Sequence, residues 1–116
     1  MQPNKPMRIL IDECLPRKLK NELGDYDVST VAEMGWAGIK NGVLLRKMVG
    51  KIDVFVTIDG NLEYQQNLSN AQISIIVLKA FNNKLESLAP LMPAVRAMLN
   101  DLKPGEIAKF GSDSAP

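Results

Sequence analysis

Asp12 follows the apolar run Met7 to Ile11, and Asp59 follows a second run, Val54 to Ile58. Two carboxylates brought together repel each other unless a cation sits between them. Oxygen ligands of this kind suit a hard ion, Mg2+ or Mn2+. Such an ion can activate water and offset the charge of a phosphoryl transition state, which is a route to phosphodiester hydrolysis. The chain has no histidine, so Ser-His-Asp chemistry, Cys-His chemistry and His-ligated metal sites are excluded. One cysteine, Cys14, excludes a zinc finger and an internal disulfide. Any catalysis must come from carboxylates, amines, guanidinium groups, hydroxyls or a hard metal.

Further polar residues stand near the two aspartates in sequence. Glu13, Glu33, Asn41, Thr57, Asn61 and Glu63 are candidate supporting groups, and Lys40 and Tyr64 are candidate substrate contacts. Each also has an ordinary structural reading. Asp59-Gly60 is a standard turn pair, and Glu13 can point to solvent ahead of the next helix. Thr57 is a normal strand residue, and Lys40-Asn41 fits a capped loop between Gly38 and Gly42. Tyr64 could stack on a base or close the edge of a core. Trp36 reads as a packing anchor or an interface residue. Arg17, Lys18 and Lys20 could steer RNA or form a basic solvated face. Cys14, with no histidine to activate it, reads as a buried thiol.

The elements that position these residues follow from periodicity. Apolar, β-branched runs predict strands at Met7–Ile11, Tyr26–Val31, Val54–Ile58, Ile73–Leu78 and Glu106–Phe110. Pro16 opens a helix over Arg17–Leu23 that Gly24 ends. Gly42–Gly50 predicts a second helix, and Asn61 could cap a third reaching Leu68. Leu85–Leu102 predicts the longest helix, with Pro90 and Pro93 marking a break or a late start. The alternation of strand and helix implies an α/β fold with a mainly parallel sheet of about five strands and helices on both faces. In open sheets of this type ligands gather at the carboxyl ends of the strands, where Asp12 and Asp59 lie. Adjacent strands are about 4.8 Å apart, so the two aspartates could share one ion.

Size and composition fit one domain over residues 7–111, with flexible termini at 1–6 and 112–116. The 116 residues are 46% hydrophobic and 23% charged, an ordinary globular mixture. The net charge of +1 gives no global attraction to nucleic acid, so any such binding needs a local basic patch. The polar start lacks a signal-peptide run, and no stretch is apolar enough to span a bilayer. A cytoplasmic location without membrane contact is the resulting expectation. Apolar residues near Trp36 and along the last helix are compatible with a homodimer.

Three segments together resemble the PIN-like domain family, related to the VapC-type toxin nucleases. Ile9-Leu-Ile-Asp-Glu-Cys-Leu-Pro-Arg-Lys-Leu19 resembles its opening strand, aspartate and Leu-Pro helix start. Thr30-Val-Ala-Glu-Met-Gly-Trp36 resembles its second strand and turn, and Asp53-Val-Phe-Val-Thr-Ile-Asp59 resembles its third-strand signature. The resemblance spans about Met7 to Gly111. It implies a Rossmann-like three-layer α/β/α fold, a Mg2+- or Mn2+-dependent ribonuclease site with Asp12 and Asp59 as catalytic metal ligands, and an RNA substrate. It also implies a toxin role with a small antitoxin protein as partner. Two positions differ from the family pattern: Lys40-Asn41-Gly42 stands where an acid often begins a helix, and Asn61 where a further aspartate is common. A catalytically degenerate domain that binds protein or RNA is therefore the alternative. A phosphoacceptor domain is a third reading, poorly matched around Lys79.

Overall fold

The computed structural model describes residues 7–24, 26–58, 72–80 and 82–111, apart from the side chain of Asn41. Its strands are β1 (Arg8–Ile11), β2 (Asp27–Thr30), β3 (Val54–Thr57), β4 (Ser74–Lys79) and β5 (Ile107–Gly111). They form one sheet in the order β2-β1-β3-β4-β5, and every neighbouring pair is parallel. The chain leaves β1 to one side to build β2, then crosses to the other side for β3. The order therefore reverses between β1 and β3, where open α/β sheets form their crevice.

Two apolar layers cover the sheet, because side chains alternate along a strand with a period of two. Ile9, Ile11, Val54, Val56, Ile76 and Leu78 face a layer that includes Leu19, Leu23, Met92, Val95 and Leu99. Leu10, Phe55, Ile75 and Val77 face Trp36, Leu44, Leu45 and Met48. The result is a three-layer α/β/α sandwich. Both faces of β3 and β4 are covered, so these strands read as continuous apolar runs. Phe55 is fully buried; burial of such a side chain contributes about 2–3 kcal/mol.

The first layer holds the segment Arg17–Leu23, α2 (Leu85–Leu88) and α3 (Met92–Leu99), and the second holds α1 (Asn41–Met48). Arg17–Leu23 is wound as a 3-10 helix, with Leu19 N–H donating to the Pro16 carbonyl three residues back. The long closing helix expected from the sequence is broken. A 3-10 turn, Ala89–Leu91, separates α2 from α3, and Pro93 lies in the first turn of α3. Pro90 lacks the N–H that an unbroken helix would need there. The capped helix expected at Asn61 lies outside the described residues, as do the two terminal segments.

Strand β5 is an edge strand, and its last residue is sterically fixed. Gly111 has φ +95°, and a Cβ there would stand 1.9 Å from the Lys79 carbonyl oxygen. Only glycine lets β5 end in contact with the end of β4.

Candidate functional site at the β1 and β3 strand ends

Parallel pairing places Ile11 opposite Val56, and Asp12 N–H continues the ladder by donating to the Val56 carbonyl at 2.9 Å. The next residues out are Asp12 and Thr57. Leu10 and Phe55 face the α1 layer, so the two-residue period turns Asp12 and Thr57 to the same face. Their side chains meet there: Thr57 Oγ1 donates to Asp12 Oδ2 at 2.6 Å. Thr57 is fully buried. The other carboxylate oxygen, Oδ1, accepts the Glu13 N–H at 2.8 Å, while Leu15 N–H closes a turn on the Asp12 carbonyl.

The Asp12 carboxylate is thus oriented by one fixed hydroxyl and one backbone amide. The Cys14 thiol is a further side-chain hydrogen-bond neighbour of this carboxylate. A carboxylate oxygen is a hard donor, so Asp12 suits Mg2+ or Mn2+ as one ligand. Among the described residues no group of three acidic, histidine or cysteine side chains is placed to complete such a site.

The other sequence candidates divide clearly. Glu13 is exposed, and its Oε2 accepts the Gly38 N–H at 3.1 Å. It ties the loop before α1 to the turn after β1. Lys40 caps the start of α1 with extended backbone and is exposed. Glu33 is drawn elsewhere. Its Oε1 accepts Thr30 N–H at 2.9 Å, and its own N–H donates to Thr30 Oγ1 at 3.1 Å. Lys20 Nζ approaches the same carboxylate at 2.8 Å. These contacts, Lys20 first, hold the Glu33 carboxyl below its usual range. Val28, two residues before Thr30, packs in the layer opposite α1, and Lys20 belongs to the 3-10 helix of that layer. Glu33 therefore sits on the far side of the sheet from the Asp12–Thr57 contact. Asp59, Asn61, Glu63, Tyr64 and the Asn41 side chain lie outside the described residues.

Cys14 borders the site without serving it in this arrangement. Burial first, then the neighbouring Asp12 charge, pushes its thiol up to about 11. Its carbonyl accepts Asn83 Nδ2 at 2.9 Å, which ties the turn after β1 to the residues before α2. Trp36 is buried under α1, with Lys51 Nζ 5.9 Å from its ring centroid.

A reciprocal Thr-x-x-Glu pair was the signal that Glu33 had a local role, because Thr30 and Glu33 have capping-box spacing. The Thr57 partnership had no such marker, since it depends on the β1–β3 register.

No family model matches this chain, and no curated protein or solved structure matches it. Among the described residues no helix is long and apolar enough to cross a membrane.

Proposed function

We propose that the domain is a Mg2+- or Mn2+-dependent endoribonuclease of the PIN-like type, with Asp12 and Asp59 as its metal ligands. The observation that supports this most is the Asp12–Thr57 hydrogen bond at the switch point of the sheet. Thr57 orients the Asp12 carboxylate at the strand ends. Asp59 follows Thr57 by two residues in the sequence, and Glu63 and Asn61 are further oxygen donors. A bound divalent ion would supply activated water and charge stabilisation to a phosphodiester. Asp12 would orient that ion, Thr57 would position Asp12, and Glu13 would hold the loop that carries Lys40. The resemblance extends the proposal to a toxin held in check by a small antitoxin.

The test is cleavage of a panel of single-stranded RNAs by the purified protein with Mn2+ or Mg2+, beside Asp12→Asn, Asp59→Asn and an EDTA control. Cleavage by wild type alone, abolished by chelation, supports the reading. Equal inertness of all three folded proteins sinks it.

A second reading is a degenerate domain that binds protein or RNA without cutting. The commitment of Glu33 to Lys20 and Thr30 favours it, because that acid is withdrawn from the metal. A biological effect that survives Asp12→Asn would select it.

A further inference from the structure

Charge is unevenly divided along this chain. From Met34 to Ile52 there are four cations, Lys40, Arg46, Lys47 and Lys51, and no acid. All four are exposed. Among the described residues neither of the two ion pairs involves any of them. On α1, Leu44, Leu45 and Met48 are buried, which turns Val43, Arg46 and Lys47 outward together. Val43 and Val49 stand 40% and 52% exposed among the cations.

The direction of this stripe matters. Strand β2 ends at the carboxyl edge of the sheet, and the Glu13–Gly38 bond holds the following loop beside the turn that carries Asp12. Lys40 starts α1 at that edge. Residues 40 to 47 then span about 10 Å of helix leading away from it, and Lys51 follows just before β3. A basic track with interleaved apolar surface therefore runs from the rim of the candidate site along one outer layer.

We propose that this face of α1 binds the phosphodiester backbone of single-stranded RNA and directs it to the Asp12 end of the sheet. Charge complementarity selects the partner: a run of exposed cations with no acid between them in sequence matches a polyanion, and the exposed valines offer contact to base faces. A net charge of +1 cannot supply this attraction globally; the segregated stripe supplies it locally. The direction of the track rests on the ribonuclease reading, whereas the binding does not.

The test is fluorescence anisotropy of a labelled oligouridylate with the full chain in EDTA, so that cleavage cannot intervene. Three proteins are compared: wild type, Arg46→Gln with Lys47→Gln, and Arg17→Gln with Lys18→Gln on the opposite layer. Circular dichroism checks that each is folded. The α1 pair should weaken binding about tenfold and reduce the salt slope by about 1.4, while the opposite pair changes little. Equal weakening by both pairs, no weakening by the α1 pair, or no binding by wild type would overturn the proposal. So would displacement of the RNA by polyglutamate of equal charge, which would assign the face to an acidic protein. If binding behaves as expected but no RNA is cut when metal is added, the ribonuclease reading fails and this one stands.

Discussion

Thr57 Oγ1 and Asp12 Oδ2, 45 residues apart in sequence, meet at 2.6 Å across the β1–β3 pair. Parallel register brings them level, and side-chain alternation puts both on the α1 face. A buried hydroxyl thereby sets the orientation of a partly exposed carboxylate. On the proposed ribonuclease reading, this is the positioning that a metal-ligating Asp12 would need from its neighbour.

Removing that hydroxyl tests the arrangement. Thr57→Val should lower Mn2+ affinity about tenfold and stability by about 1 kcal/mol. Thr57→Ser keeps the donor and should retain Mn2+ affinity despite the lost methyl. Calorimetric titration with Mn2+ and denaturant unfolding would read both, and equal affinity in Thr57→Val would remove Thr57 from the site.

Cys14 reports on the same neighbourhood. With its thiol pushed up to about 11 by burial and by Asp12, wild type should alkylate slowly with iodoacetamide at neutral pH. The rate should climb steeply only in strongly alkaline buffer. Asp12→Asn removes the adjacent charge and should speed the reaction at pH 8, whereas Glu33→Gln, whose charge does not act on this thiol, should not. Rate–pH profiles of the three proteins make the comparison.

The opposite edge of the sheet supplies a pH prediction. Arg8 donates from its backbone N–H and its guanidinium to Asp53, and these contacts hold the Asp53 carboxyl below its usual range. A depressed folded value means stability that is present above the unfolded value, near 3.9, and is lost as pH falls through the folded one. Both side chains are over 40% exposed, so solvent screening keeps the pair small. Asp53→Asn should cost about 0.5–1 kcal/mol at pH 7. The gap to wild type should shrink as pH falls below about 4, which urea titrations at several pH values would show.

Gly111→Ala should destabilise by at least about 2 kcal/mol, because it places a Cβ against the Lys79 carbonyl at a positive φ. Gly35→Ala has the strained φ but open space around its Cβ, so it should cost less. Thermal unfolding of the two variants separates the clash from the backbone strain.

The alternation of strand and helix was legible because apolar runs such as Ile73–Leu78 and punctuation at Pro16, Gly24 and Pro104-Gly105 mark each element. The sheet proved wholly parallel, with β5 at an edge. The place of Asp12 at the carboxyl end of β1 was legible from the apolar run before it. Its pairing with Thr57 was not, since one step of register would have sent the two side chains to opposite faces. Glu33 looked like a candidate ligand because it follows a strand. Thr30 faces the layer opposite α1, so Glu33, bonded to Thr30 and Lys20, is carried there too. The 3-10 winding of Arg17–Leu23 was also not legible, because leucines at 15, 19 and 23 suit an ordinary helix as well.

The edge position of β5 bears on how the chain emerges during synthesis. The backbone edge of the β4 run Ile75-Ile-Val-Leu78 is paired on this side only once Ile107–Gly111 lie alongside it. Until those residues leave the ribosome, the nascent chain presents an unpaired β-branched edge, the kind of template on which neighbouring chains add strands. Lys109 stands within that seam opposite Val77, and Lys79 ends it opposite Gly111. Soluble yield should therefore depend on β5 more steeply than the modest burial of its own side chains suggests.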